Sequence, residues 1–304
     1  MVFSEIVAGL NLWDRCLKLW DRFKKWHHAK QNPPIESVAS RFIRLFENYG
    51  VHRNQIPRYF GHGIKMLDLQ DDASLLLKLD EAILDAACAR FAVRREWMDG
   101  ADLQAHLCHD FYKDPKGFAV LLETLKQNNP DGELNGILVA PLEKERDAEA
   151  LLILQESIGF IGEKPIYRYH LCNNWSFSYW KSRAYLTACI AIAWKHEVYV
   201  HGIFARKKVI EKLSEGKTLL GWQGDGMWSL GIKRWHPEDM ALRPEIYLNG
   251  LDPEQDNFGI VAGLQLWLEL ENKGLMNTGV DESARPQFQQ ELAKYQIASQ
   301  SMDS

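Results

Sequence analysis

Apolar residues near the start of the chain recur at helical spacing. Leu12, Cys16, Leu19, Phe23 and Trp26 step by four and three, and Leu10, Trp13, Leu17 and Trp20 form a second seam beside them. Asp14, Arg15, Lys18, Asp21, Arg22 and Lys25 fill most of the remaining surface. Residues 1–31 are therefore expected to form one amphipathic helix with a broad aromatic stripe. Three uses of such a stripe are open: packing on the body of the protein, self-association, or contact with a membrane surface. The paired prolines of "QNPPIES" then end the helical pattern.

From residue 36 to 128 the pattern predicts helices throughout. "ESVASRFIRLFENYG" puts Val38, Phe42, Leu45 and Phe46 on one face and stops at Gly50. "HRNQIPRYFG" reads as a short helix, and "DEAILDAACARF" carries Ile83, Ala87 and Phe91 on one stripe. Asp114 caps "DPKGFAVLLETLKQNN", with Pro115 at the first helical position. "NNPDGELNG" reads as a linker. Residues 135–280 then mix periods: β-type runs in "NGILVAPL" and "EALLILQESIGFIGEKPIYRYHLC" turn at Gly162, and "WSFSYWKSRAYLTACIAIAWKH" reads as a helix. A strand "EVYVHGIF", a helix "ARKKVIEKLSEG", strands in "KTLLGW" and "MWSLGIKRW", and a helix "QDNFGIVAGLQLWLELENKG" follow. Residues 281–304 are polar and Gln-rich, with at most one loose helix. The expected fold is α+β in two domains: an all-α N-terminal domain, then an α+β domain with an antiparallel or mixed sheet.

Composition narrows the setting. The 304 residues suffice for two cores, and 46% apolar with 25% charged residues is an ordinary folded balance. The net charge of −5 argues against a wholly basic nucleic-acid coat while allowing a local basic face. Cys16, Cys88, Cys108, Cys172 and Cys189 are odd in number and form no CxxC pair, which fits a reducing compartment. No apolar run reaches the ~18 residues of a membrane span, and no secretory leader is read. The expected location is the cytoplasm.

The stretch "GVHRNQIPRYFGHGIKM" (residues 50–66) is locally basic. Residues 41–66 hold Arg41, Arg44, Arg53, Arg58 and Lys65 against the single acid Glu47, whereas residues 67–100 are acidic. Residues 36–100 as a whole resemble the helix-turn-helix domain of the Cro/phage-repressor family. "RFIRLFENYGV" is similar to its first helix and glycine-hydrophobic exit, and "HRNQIPRYFG" to its second helix. "LLLKLDEAILDAACARFAVRREWMDG", above all Val93 to Gly100, is similar to its closing segment. The resemblance covers about a fifth of the chain and implies a DNA-binding regulator, bacterial or phage-related, including a phage-defence component. Phosphate and base contacts would then come from Arg41, Arg44, His52, Arg53, Gln55, Arg58, His62 and Lys65. A dimer through the N-terminal helix would match a two-fold site. The sequence departs from the family at "HGIKMLDLQ", where the reading helix should begin. There only His62, Lys65 and Gln70 suit base edges, Asp68 opposes phosphate, and Ile64, Met66 and Leu67 are expected in the core. Pro57 inside the second helix implies a kink or a late start.

Catalytic and metal signals are thin. If "HLCHDF" is helical, His106 and His109 share a face, and His170 with Cys172 would complete a metal set; the spacing is not that of a structural metal site, and none is assigned. Gly216-Lys217-Thr218 is a phosphate-loop fragment, but Glu211 stands where the first glycine belongs and a helix precedes it, so it reads as a helix end. His170, His196, Glu197, His201 and Asp225 are candidates for a cleft, without a spacing that joins them. No cofactor motif is found, and no catalytic residue is assigned. The tryptophan-rich second half supplies core, or a pocket walled by Trp175, Trp180, Trp194, Trp222 and Trp228 for a small molecule or partner. The leading expectation is a DNA-binding regulator with a C-terminal sensing domain. The alternatives are a protein-interaction adaptor on a degenerate helix-turn-helix shell, and an enzyme acting on nucleotides or nucleic acid.

Overall fold

Caps and apolar stripes place the helices close to where their sequence signals stand. A computed structural model of the protein describes residues 36–142, 145, 148–221, 231, 233–253, 259–279 and 283–302. The expected N-terminal helix, Trp222, Asp225 and Trp228 lie outside the described residues. Helix α1 (Val38–Asn48) starts at Ser37, whose hydroxyl accepts from the Ser40 amide, and buries Ala39, Phe42, Ile43, Leu45 and Phe46. A 3-10 turn (Arg53–Gln55) leads into the single-turn α2 (Ile56–Tyr59), with Pro57 in its first turn, where the missing donor costs nothing. No α-helix lies between Tyr59 and Asp72; residues 61–66 turn, and Leu67–Leu69 make one 3-10 turn. Helices α3 (Asp72–Lys78), α4 (Glu81–Phe91) and α5 (Arg95–Met98) follow, the first two capped by Asp71 and Asp80.

The segment expected to be helical throughout then contributes a strand. β1 (Cys108–Asp110) pairs in parallel with a later strand, His109 opposite Cys172. Helix α6 (Pro115–Asn128) follows with Asp114 accepting from the Gly117 amide, as the Asp-Pro signal predicts. The sheet's centre is a meander of β2 (Leu134–Pro141), β3 (Glu149–Ile161) and β4 (Lys164–Ser176), with Gly162 at φ 63° in the β3–β4 turn. Helix α7 (Trp180–Lys195) carries the chain back across the sheet to β5 (Val200–Ala205), parallel to β2. Helix α8 (Lys207–Ser214) and β6 (Lys233–Trp235), antiparallel to β5, follow. Residues 217–221 form no strand. Helices α9 (Asp239–Leu242), α10 (Pro244–Leu248), α11 (Gly259–Asn272) and α12 (Arg285–Met302) end the described chain.

The resulting sheet is mixed, in the order β1-β4-β3-β2-β5-β6. Period-two alternation along β3 sends Leu151 and Ile153 to one face and Leu152 and Leu154 to the other. The first face joins one apolar cluster with α1, α4 and α8; the second joins α6, α7, α11 and α12. Residues 36–100 thus share a core with the sheet, and Arg90 Nη2 donates to the Ile158 carbonyl across that contact. α7 has no separate polar face and is buried along almost its whole length, Arg183 included, as a helix in the middle of a layer must be. The polar tail docks through Phe288, whose ring stacks on Trp267 at 3.6 Å and 5°. Among the described residues no helix is long and apolar enough to cross a membrane.

Candidate functional site

Parallel strands that share an end leave a crevice there, because the connecting chains leave to different neighbours. β2, β4 and β5 end together, and the strand order reverses beside β2: the meander runs one way and β5 lies on the other side. Such a switch point is where open sheets commonly hold ligands. A cavity of about 350 Å³ occupies it. Its walls are Pro141 and Leu142 at the end of β2, Phe177 after β4, Phe204 on β5, and Lys233 and Trp235 on β6. Arg183 from the first turns of α7, with Ile246, Asn249 and Gly250 at the end of α10, close it.

The aromatic wall is ordered by a glycine. The Trp235 indole lies flat on Phe204, with centroids 5.3 Å apart at 25°, and meets Phe177 edge-on at 6.3 Å. It reaches this position because Gly202, its register partner, has no side chain: a Cβ there would stand 2.5 Å from Trp235 Nε1. Arg183 sits at the far end of this wall, 3.7 Å above the Phe177 ring and 1% exposed. Its Nε and Nη2 donate to the Phe177 carbonyl at 3.0 and 2.7 Å, and Nη1 donates to the Tyr247 and Asn249 carbonyls at 2.9 and 3.2 Å. No carboxylate pairs with it among the described residues. Burial lowers its pKa to about 9, still well above neutrality, so the site contains a charged guanidinium held, among the described residues, by carbonyl dipoles alone.

Of the five tryptophans expected to wall a pocket, the three that are described stand outside this cavity. Trp175 is fully buried in the core, its Nε1 donating to the Cys172 carbonyl; Trp180 is half-buried against the same core, and Trp194 packs edge-on against Tyr199. None of the three lines the cavity. Arg183 was the missing signal: one cation inside the run "RAYLTACIAIAW", which has no other charge.

The cations expected to meet DNA are partly engaged within the chain. Arg41 donates to the Trp97 carbonyl at 2.6 Å and faces Glu36 at 3.5 Å. Arg44 pairs with Glu36 at 2.7 Å over the Trp97 ring and remains half-exposed. Arg53 donates to the Leu69 carbonyl at 2.6 Å, which fixes the turns in the place of a reading helix. His52 and Gln55 form a reciprocal cap on the 3-10 turn, and His62 stacks on Phe60 at 4.2 Å. Arg58 and Lys65 are exposed. Ile64 is buried as expected, but Met66 and Leu67 are not core: they are 52% and 65% exposed, because the turns point them outward, and Leu76 and Leu77 on α3 are exposed as well.

Strand geometry separates the histidines. His106 and His109 lie on extended chain, not on a helix, so a spacing of three sends them to opposite faces. His106 is buried with Nε2 3.2 Å from the Tyr49 hydroxyl, and burial lowers its pKa to about 4. His109 lies parallel to Phe111. His170 instead faces Glu156, 2.9 Å from Oε2. Glu156 also takes two 2.6 Å bonds from Arg168 and one of 2.9 Å from Asn129 Nδ2. Burial opposes its charge, but the donors from His170, Arg168 and Asn129 win and hold its pKa at about 2. A carboxylate so fully engaged ties β3, β4 and the end of α6 together and has no proton to give at neutral pH. His196 and Glu197 stand at the far end of α7, away from Arg183, and His201 lies on β5. Gly216, at φ 67°, closes α8 and accepts from the Ala105 and His106 amides, so Gly216-Lys217-Thr218 opens no helix.

No protein-family model, curated protein or solved structure matches the chain.

Proposed function

We propose that this chain is a small-molecule-binding regulatory protein whose ligand seats at the carboxyl ends of β2, β4 and β5. The observation that carries the reading is the cavity at the switch point. Its size and its mostly apolar and aromatic wall suit a small ligand. Sensing is favoured over catalysis because the described wall residues include no acid, histidine, cysteine or serine to act as nucleophile or base. The test is a thermal-shift screen of a metabolite panel against the wild type and Ile246→Trp, which fills the cavity from α10. Compounds that raise the wild-type melting temperature should leave the variant unmoved. Equal shifts in both, or no stabilising compound at all, would refute the reading.

A second reading, DNA contact by residues 36–100, is favoured by the exposed Arg58 and Lys65 and the half-exposed Arg44 within the helix-turn-helix-like segment. With Arg58 and Lys65 presented and Arg44 shared with Glu36, log affinity against log salt should slope at about −2, at roughly −0.9 per phosphate neutralised. Arg58→Glu with Lys65→Glu should abolish a mobility shift on random duplex DNA at low salt. No shift in the wild type would leave Met66, Leu67, Leu76 and Leu77 to mark this side as a protein-docking face, the adaptor reading.

A further inference from the structure

We infer that the ligand of the switch-point cavity is a carboxylate on a flat aromatic body, its acid group turned toward Arg183. The inference rests on the proposed reading of the cavity and adds the chemistry of what fills it. Charge comes first. The described wall holds two cations, the buried Arg183 and the exposed Lys233, and no acid. A desolvated guanidinium without a counter-ion is costly, and the carbonyls of Phe177, Tyr247 and Asn249 meet that cost only in part. An anion entering the cavity gains what those dipoles leave over; a cation is repelled.

Donor counting then chooses among anions. A guanidinium has five N–H groups. Four of Arg183's are directed to carbonyls: one from Nε, two from Nη1 and one from Nη2. One N–H on Nη2 is left without an acceptor among the described residues. A single donor satisfies a carboxylate oxygen. A phosphate, with more charge and more acceptor oxygens, calls for several donors converging on one point, whereas at the Arg183 end Arg183 offers a single unengaged N–H, Lys233 stands on the exposed rim, and the unpartnered Trp235 Nε1 lies over Gly202. The body of the ligand follows from the stack. Phe177, Trp235 and Phe204 pack on one another along the wall from Arg183 outward, and a wall built of aromatic rings suits a flat apolar group. A cavity of about 350 Å³ takes a fused two-ring skeleton.

Titration calorimetry of the full chain with 2-naphthoate, 2-naphthamide and 2-naphthylmethylammonium tests this. The carboxylate should bind at least about tenfold more tightly than the isosteric amide, since a hydrogen bond to a charged group is worth that much, and the ammonium should not bind. Arg183→Gln should erase the carboxylate preference. If that variant fails to fold, the wild-type comparison of the three probes still decides, together with Lys233→Gln on the exposed rim, which should change the preference less than about threefold. Carboxylate and amide binding equally, both abolished in Ile246→Trp, would overturn the anion inference while the cavity reading stands. No naphthyl probe binding, with the metabolite screen also empty, would bring down both. Tighter binding of the ammonium overturns the inference outright.

Discussion

At the scale of single residues, Gly202 and Glu156 each hold a position that a small change would disturb. Gly202 is needed for the absence of a side chain: Gly202→Ala puts a methyl 2.5 Å from the Trp235 indole nitrogen. The indole must then leave its stack on Phe204, at an overpacking cost of about 1–3 kcal/mol. Urea unfolding should read that loss, and near-ultraviolet circular dichroism should lose part of its tryptophan signal; an unchanged spectrum would mean the indole had room to spare. Glu156→Gln leaves Arg168 facing a neutral amide, and breaking a buried pair in this way costs about 3 kcal/mol. Acid should act through the same residue. The folded pKa of Glu156, about 2, lies below its unfolded value near 4.5, so its contribution is complete above that value and is lost as pH falls toward 2. His106 works in the same direction at higher pH. Its folded pKa of about 4 lies below the ordinary 6.5, so unfolding takes up a proton between them and stability declines as pH falls from about 6.5. Melting temperature against pH should therefore begin to drop below about 6.5 and steepen below 4.5, and His106→Gln should remove the first limb.

At the scale of elements, long periodic patterns were readable and short or interrupted ones were not. α1, α4, α6, α7 and α11 stand where the sequence pattern placed helices, α6 with Asp114 as its expected cap; the caps at Ser37 and Asp80 are added by the structure. β1 escaped because three residues, Cys108–Asp110, are too few to show a period, and their pairing with β4 is decided by tertiary contact. The turns at residues 61–66 escaped because the local resemblance asked for a helix, while positive φ at Gly61, His62 and Gly63 does not allow one. The cavity was illegible as a set: its walls come from β2, β5, β6, α7 and α10, whose neighbours only the sheet order reveals. Arg183 alone left a trace. The tail shows the same limit, since Phe288 among glutamines gives no stripe yet anchors α12 on α11. Phe288→Ala should cost about 3–5 kcal/mol by calorimetry, with α12 the first segment to lose amide protection in hydrogen exchange.

For the molecule as a whole, the shared apolar cluster bears on cooperativity. α1 and α4 bury Phe42, Phe46 and Phe91 in the same cluster as Ile137, Leu151 and Ile153 of the sheet. Neither side keeps a sealed core without the other, so residues 36–128 and 135–280 should melt in one transition, with calorimetric and van't Hoff enthalpies equal. Two resolved transitions would show two independent cores. The distribution of charge matters at this scale too. With a net charge of −5 and Arg41 and Arg44 turned to Glu36, little long-range attraction for a polyanion is left, so any DNA affinity should be gone by about 200 mM salt.

The placement of β1 has a consequence for biosynthesis. Cys108 finds its partner in Leu171, and the neighbouring Ala105 and His106 amides find theirs in the Gly216 carbonyl. A growing polypeptide must therefore hold residues 36–110 unfinished until the meander and then α8 have emerged from the ribosome, with Phe46, Tyr49 and Phe91 short of their cover in the interval. Such a chain is expected to depend on chaperones during translation far more than its finished form does.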